Sequence, residues 1–455
     1  MPRSSSKPIK AKSKPKAATT PRGSRFFDLA LELRETVYSQ IAYDAPSSLI
    51  DLLTVNHQLA REVKPFLYRQ ALTFDGQTEL FDWLDEVDYN YLQHVFDVRF
   101  KLHDIDPAKI VGALGRRLQQ ANISRQSGSR GPDTEDNPYY EACHIDLKRI
   151  LTAFRLLPNV RHFTILPTTE GDPEPHHRTT DAFSNLLGFC FPNLHSLTSE
   201  EDQFPIDFLL NKPKLRRLRI PATTTSDDGE TAKLFRNLPL RELEICRLPH
   251  HTANAAEEDR CVTPILYTLS PLQSLTIFED AGSETPSLAA EVFAGSDAAT
   301  HPIVRKHRHS LRTLKLLAEP GPEYSLMTFA TTFLDSSSLT HIEYLDSWSA
   351  IYEHLPSTTQ SVVWRINWCP STSIDALLDR IKRLVTRAIR VHDGPIGDQF
   401  SNLRTIGVSL SPVYLEQESD DDESTPEDIL MAAQKRLRQM GITFSWRVQD
   451  WHEIL

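Results

Sequence analysis

The sequence has little glycine, cysteine or methionine: its 455 residues include 16 glycines, five cysteines and four methionines. With so few glycines it contains no GxxxxGK[ST], no GxGxxG after a strand and no GxSxG, so the usual phosphate loops and the nucleophile elbow are missing. Carboxylates are numerous, but their spacing marks no acid/base pair. We therefore expect a protein without its own active site and without a cofactor.

The cysteines and histidines show no pattern typical of a metal site. An odd number of cysteines with no CxxC pair excludes a disulfide framework and a cysteine-rich zinc site, and it favours a reducing compartment. Six of the 17 histidines lie in three short segments, and none of these pairs has the i, i+4 spacing of a helical zinc site. We therefore predict no bound metal and interpret these histidines as solvated loop residues: His176, His177, His250, His251, His307 and His309.

Long apolar runs are also missing. The chain has no stretch of about 18 apolar residues, as a membrane span needs, and its N-terminus has no apolar core of a signal peptide. We expect an intracellular protein, cytoplasmic or nuclear, with no membrane partner.

Positive charge is concentrated at one end of the chain. Residues 1–25 carry eight Lys and Arg and no acid, so the formal net charge of −11 leaves −19 on the remainder. Such an acidic body argues against a general nucleic-acid surface, because Lys and Arg must neutralise phosphates. The Ser-, Pro- and Lys-rich tail is predicted to be disordered; it is a solubilising arm, a nuclear-import signal or a nucleic-acid contact.

The segment 26–70 has the spacing of three short helices. In "DLALELRETVYSQI", Asp28 is a candidate N-cap for an amphipathic helix. "SSLIDLLTV" and "NHQLAREV" predict two more, and in this stretch Leu52, Val55, Leu59 and Val63 recur on one helical face. Pro65 is expected to end the last helix, because proline lacks the amide hydrogen. About 45 residues are near the limit of independent stability, so this unit should pack on the remainder of the chain or on a partner.

From residue 95 onward, the pattern apolar-x-x-apolar-x-apolar recurs at about 30-residue intervals. Full copies are "VFDVRF", "VRHFTI", "LRRLRI", "LRELEI", "LQSLTI", "LRTLKL", "LTHIEY" and "LRTIGV", and weaker copies are "LHSLTS" and "SVVWRI". The period of two predicts a strand with one buried face, and helical spacing precedes most copies. Helix and strand in alternation predict a parallel sheet with helices outside, closed by the helix and strand of "PEDILMAAQKRLRQMGITFSW".

These patterns resemble two known modules. The repeats resemble a degenerate leucine-rich-repeat solenoid, and residues 26–70 resemble an F-box of the variant common in filamentous fungi, "LELRETVYSQI…LLTVNHQLAREVKPFLYR". The sequence departs from the F-box pattern at Ala30, where Pro is usual, and at Leu59, where Trp is usual. The fold class is thus α/β: a three-helix F-box-like unit followed by an irregular leucine-rich-repeat-like solenoid over residues 71–455.

The resemblance implies the substrate receptor of an SCF-type ubiquitin ligase, which binds a Skp1-type adaptor and through it a cullin. The residues expected at the adaptor are Leu29, Leu33, Val37, Tyr38, Val55, Leu59, Leu67 and Tyr68. The alternative, favoured by the two departures, is a binding scaffold whose helices only cap the solenoid.

Polar residues in the strands are the weaker candidates for binding the protein target. The period of two directs them to the concave face of the solenoid: Arg217, Arg219, Glu242, Glu244, Lys315, His341 and Glu343 are examples. Arg217 and Arg219 are suited to bidentate binding of a phosphate or carboxylate, or else they pair with the two neighbouring glutamates.

Acidic inserts follow many of the strands. The predicted inserts are residues 101–140, 167–180, 221–230, 247–260, 279–305 and 411–428. In a parallel sheet they gather at one edge, where their carboxylates either attract a basic target or merely keep the solenoid soluble. The acidic loop 411–428 is predicted to be disordered, and Ser419 within it is a candidate phosphorylation site.

Overall fold

A computed structural model describes the chain in segments. The described residues are 25–103, 138–167, 183, 186–200, 209, 212–221, 238–247, 266, 269–279, 306–318, 334, 337–366, 374–393, 402–410 and 426–448. The chain divides into two compact units, residues 1–70 and residues 71–455.

The first unit contains the three expected helices. A 3-10 turn, Arg25–Asp28, precedes α1 (Leu31–Asp44), α2 (Ser47–Val55) and α3 (His57–Leu67). Their shared core consists of Tyr38, Leu49, Leu59, Val63 and Phe66. An edge-to-face aromatic contact adds to this core: the centroids of the Tyr38 and Phe66 rings are 5.7 Å apart.

Three details of these helices differ from the prediction. Asp28 does not cap α1: it ends the 3-10 turn, and Ala30 is the N-cap residue without a side-chain bond. The apolar face from Leu52 to Val63 spans two helices, because Asn56 is extended and its side chain accepts the Leu59 N–H at 2.9 Å, which starts α3. Pro65 lies inside α3, which ends only two residues later.

The second unit is built on one parallel sheet of twelve strands in chain order. The strands are β1 (Leu72–Phe74), β2 (Asp97–Lys101), β3 (His162–Leu166), β4 (Ser196–Ser199), β5 (Arg217–Pro221), β6 (Glu242–Arg247), β7 (Ser274–Glu279), β8 (Thr313–Leu317), β9 (His341–Leu345), β10 (Ser361–Ile366), β11 (Thr405–Leu410) and β12 (Thr443–Val448). Every predicted copy of the repeat, including the two weaker ones, forms a strand. The three-residue β1 was not predicted.

The register of the sheet explains the repeated pattern. Equivalent apolar residues lie side by side, as in Leu218 beside Leu243 and Leu243 beside Leu275. These side chains are almost fully buried on one face of the sheet. The alternate residues of each strand form the opposite face, called here the polar face.

In the described part of the chain, helices precede the strands near the two ends of the sheet. They are α4 (Gln77–Glu86), α5 (Tyr89–Leu92), α6 (Pro138–Arg155), α7 (Ile374–Asp393) and α8 (Pro426–Gln439), with a 3-10 segment at Asp346–His354. Phe154 of α6 contacts the rings of Phe100 and Phe163, each at 5.5 Å. As predicted, α8 is followed by a last strand. No helix in the described part of the chain is long and apolar enough to cross a bilayer.

Candidate protein-binding surfaces

The first unit has an unusually apolar surface. Leu29, Leu33, Val37 and Val55 were expected at the adaptor, and their exposed fractions are 39, 55, 39 and 62%. Leu33 and Val37 are four residues apart on α1, so they share one side of that helix. Nearby in the chain, Leu31, Tyr43 and Ile50 are exposed as well.

The other expected adaptor residues are less accessible. Tyr38 and Leu59 are buried in the core of the unit, with 1 and 7% exposed, so their side chains hold the helices together and do not form its surface. Leu67 and Tyr68 are half-buried. The most accessible residues of the predicted set are therefore Leu29, Leu33, Val37 and Val55.

A polar cluster fixes α1 against α3. Glu62 accepts two hydrogen bonds from the Arg34 guanidinium, at 2.8 and 2.7 Å, and one from the Tyr38 hydroxyl at 2.9 Å. Both charged side chains are about nine-tenths buried. The Arg34 bonds hold the pKa of Glu62 at about 2, although burial opposes this shift. The cluster orients α1, and with it Leu33 and Val37.

On the polar face of the sheet, the two candidate arginines already have partners. Arg217 Nε lies 2.9 Å from Glu242 Oε2, and Arg219 Nε lies 3.4 Å from Glu244 Oε1. The neighbouring strands place these residues in register. Pairing with the adjacent glutamates, one of the two predicted outcomes, is thus the one observed.

Further along this face a carboxylate is buried between two cations. Glu343, expected to be exposed, has a side chain with 3% exposed; it pairs with Arg365 and lies 3.1 Å from Lys315 Nζ. Burial alone would raise the pKa of Glu343, but Arg365 and Lys315 lower it below its ordinary value. Of these three side chains, Lys315 is the most accessible, with 35% exposed.

A feature that sequence reasoning missed is a column of basic residues at the N-terminal edge of the sheet. The residue just before each strand uses its carbonyl to join the next repeat: Arg161 O accepts N–H groups of His195 and Ser196 at 2.7 and 3.0 Å. The same paired bonds recur from Phe96 to Gln360. These residues, defined here as the edge column, are Phe96, Arg161, His195, Arg216, Arg241, Gln273, Arg312, Thr340, Gln360 and Arg404.

The edge column is visible in the sequence once the repeats are aligned. It is the second residue of most units, the R of "VRHFTI", "LRRLRI", "LRELEI", "LRTLKL" and "LRTIGV". The alternation of a strand draws attention to the third and fifth residues of each unit, because those face out of the sheet, and it gives no direction for the second. All five arginines are exposed.

A cavity of about 280 Å³ opens at the densest part of the edge column. Its lining includes His162, His195, Arg216, Arg217, Arg241 and Glu242. Burial lowers the pKa of His162; Asp97 counteracts the shift, and the nearby His195, Arg217 and Arg161 add to it. The arginine charge at this place is only partly balanced by Glu242.

Two buried cationic or titratable side chains serve the fold. His307, predicted to be a solvated loop histidine, is fully buried: its Nδ1 accepts the Leu272 N–H at 3.0 Å and its Nε2 lies 2.9 Å from the Leu266 carbonyl. Lys212 Nζ donates to the carbonyls of Leu187 and Cys190 at 2.8 and 2.6 Å. Both donate to or accept from backbone groups that lie outside the strands, as buried backbone polar groups require.

Several predicted features lie outside the described residues. They are most of the basic tail, His176, His177, His250, His251, Ser419 and nearly all of the acidic inserts. The strands that lead into those inserts are parallel, so their C-terminal ends share one edge of the sheet. The charge of that edge stays a prediction.

No family model and no curated protein matches this chain. A solved structure to which it is similar is the leucine-rich repeat-containing protein LegL7 from Legionella pneumophila, at 12% identity and a TM-score of 0.37, covering 84% of this chain and 91% of that one. The second unit is a leucine-rich-repeat-like solenoid. Its own strand order and register establish that architecture.

Among the residues that the structure describes, no group of three or more His, Cys, Asp or Glu side chains is arranged to hold a metal ion. The candidate sites are the apolar surface of the first unit, the polar face of the sheet and the edge column with its cavity.

Proposed function

We propose that this protein is an F-box protein of the fungal type, the substrate-recognition subunit of an SCF-type ubiquitin ligase. In this proposal the first unit binds a Skp1-type adaptor, and through it a cullin, while the solenoid binds a protein target. The chain has no active site of its own in this role.

The observation that carries the proposal is the distribution of exposed apolar side chains. Of the eleven large apolar side chains exposed among the described residues, seven lie in the short first unit: Leu29, Leu31, Leu33, Val37, Tyr43, Ile50 and Val55. Apolar residues clustered on a surface mark a site of interaction. Four of the seven occupy positions that the F-box resemblance assigns to the adaptor.

The proposed mechanism is proximity. A receptor that holds its target and a transfer enzyme in one complex raises the effective concentration of a target lysine at that enzyme. The solenoid suits this task, because its long sheet presents polar side chains from successive strands at regular spacing. The target itself, basic if the acidic inserts attract it, is part of the proposal.

The test is binding of the purified full-length chain to a Skp1-type adaptor after substitution of Leu33→Glu. Leu33 is 55% exposed, so a charge there leaves the core intact but prevents apolar contact with a partner. We expect complex formation to be lost in size-exclusion chromatography. Met431→Glu is the matched control, because Met431 is a 60% exposed apolar residue of the second unit.

The scaffold role is the competing proposal. It is favoured by Ala30, which caps α1 without a side-chain bond, and by Leu59, which is buried in the core of the unit. If the wild-type chain does not bind the adaptor, or if Leu33→Glu binds as well as wild type, the ligase proposal is wrong and the scaffold role replaces it.

A further inference from the structure

We propose that the edge column binds an extended acidic segment of a partner protein. The site is centred on Arg161, His195, Arg216 and Arg241, which precede four consecutive strands. Its occupant is a run of Asp and Glu residues that crosses the ends of those strands. This inference concerns the solenoid alone and does not depend on whether the first unit binds an adaptor.

The first argument is rigidity. Each residue of the column is fixed by its own carbonyl, which accepts the N–H groups of the next repeat at 2.7 to 3.0 Å in the segment from Arg161 to Arg241. The side chains therefore start from equivalent backbone positions on neighbouring strands. Because the backbone of the row is already fixed, binding would have to order only the exposed arginine side chains.

The second argument is charge. The edge column contains five arginines and one histidine and no acid. Within the described part of the chain, Arg216, Arg241 and Arg404 form no ion pair with a carboxylate, whereas Arg217 is paired with Glu242. Arg161 lies over the Phe96 ring at 4.8 Å and Arg312 donates to the Ser338 carbonyl at 3.1 Å, so neither is neutralised. The planar guanidinium of arginine can donate two parallel hydrogen bonds to a carboxylate.

The third argument is dimension. Neighbouring strands are about 4.8 Å apart, so the four central positions span about 14 Å. An extended peptide advances about 3.3 Å per residue, and four or five residues cover that distance. The cavity of about 280 Å³ beside Arg216 and Arg241 has room for one or two of the peptide's carboxylate side chains.

A peptide fits better than a nucleic acid. The row next to the edge column includes Asp97 and Glu242, and the whole chain has a formal charge of −11. A nucleic-acid backbone, which needs a broad basic surface, would be repelled beyond the narrow column. A short acidic peptide would follow the arginines of the column and would meet Glu242 only at the cavity, where Arg216, Arg217 and Arg241 outnumber that carboxylate.

The experiment measures fluorescence polarisation of a fluorescein-labelled octaglutamate peptide with the full-length protein at low ionic strength. We compare wild type with the double variant Arg216→Gln, Arg241→Gln. The matched control is Lys382→Gln, Arg383→Gln, which removes the same charge from exposed positions of α7. Thermal melts check that all three proteins are equally folded, and octaglutamine replaces octaglutamate in a second measurement on wild type.

We expect the edge variant to bind octaglutamate about ten-fold more weakly or worse, the control to bind like wild type, and octaglutamine not to bind. Absence of binding by wild type, or equal weakening in both variants, would overturn the proposal. So would an eight-nucleotide oligothymidylate that binds more tightly than octaglutamate and depends on the same two arginines, because the column would then be a nucleic-acid site.

Discussion

The substitution Glu343→Gln tests how the polar face of the solenoid is held together. The Glu343 side chain is 3% exposed and that of Arg365 is 4% exposed, so their charges neutralise each other away from water. Removal of one member of such a pair typically costs about 3 to 5 kcal/mol, because the other charge stays buried. Gln keeps the volume and one acceptor of Glu, and Lys315 reaches solvent, so we expect a loss of about 3 kcal/mol.

Glu242→Gln is the matched control, since it removes the same charge from the same face of the sheet. The exposed fractions of Arg217 and Glu242 are 64 and 43%, and an exposed pair of this kind contributes about 0.5 kcal/mol. The second comparison is Glu343→Gln with Arg365→Met, because replacement of both members also removes the buried guanidinium that has lost its bond to Glu343. We expect the double variant to recover much of the stability that the single variant loses.

The assay is hydrogen exchange of peptides from β8 to β10, which measures local opening and needs no assumption that the whole repeat array unfolds at once. Peptides of the first unit serve as an internal reference. The reasoning is refuted if Glu343→Gln accelerates exchange in these strands no more than Glu242→Gln does in β5 to β7.

Two further predictions concern other buried polar groups. The pKa of Glu62 is lowered in the folded chain to about 2, so its stabilising effect is complete above its ordinary value of about 4.5 and is lost as the pH falls toward 2. The difference in hydrogen exchange of α1 between wild type and Glu62→Gln should therefore shrink over that range, and a constant difference would contradict the assignment. His307→Phe leaves the Leu272 N–H and the Leu266 carbonyl without their partner; we expect a loss of about 2 to 3 kcal/mol in denaturant unfolding, and an unchanged midpoint would show that the ring is dispensable.

The sequence was sufficient to predict the parallel repeat sheet, because the period of two indicates strands with one buried face and the helical spacing between them indicates parallel strands. It was insufficient where a single polar side chain decides the local structure. The two helices on either side of Asn56 were predicted, but the spacing from Leu52 to Val63 was interpreted as one helical face, whereas the extended Asn56 divides these residues between two helices. His307 looks like a loop residue because its neighbours are charged, and only tertiary packing reveals the two backbone groups that it satisfies.

The candidate sites also include features that the sequence predicts and features that it does not. Exposure of Leu33 and burial of Tyr38 depend on how three helices pack, which residue spacing alone does not determine. Pairing of Arg217 with Glu242 is accessible to sequence reasoning, because parallel strands in register bring equivalent positions together. The arginines of the edge column recur visibly once the repeats are aligned, but their direction does not follow from the sequence, because they lie just outside the strands.

The order of the strands has a consequence for how this protein can change. Each strand bonds only to the strands before and after it in the chain. The segment that connects two strands is therefore constrained by the sheet only at its two ends. The length of the connection does not change the register. The first residues of β9 and β10 are paired across the short segment 346–360, and those of β2 and β3 are paired across the much longer segment 102–161. Natural variation can therefore lengthen, shorten or recharge one connection while the hydrogen bonds of every other repeat remain as they are, and new binding specificities can arise without redesign of the core.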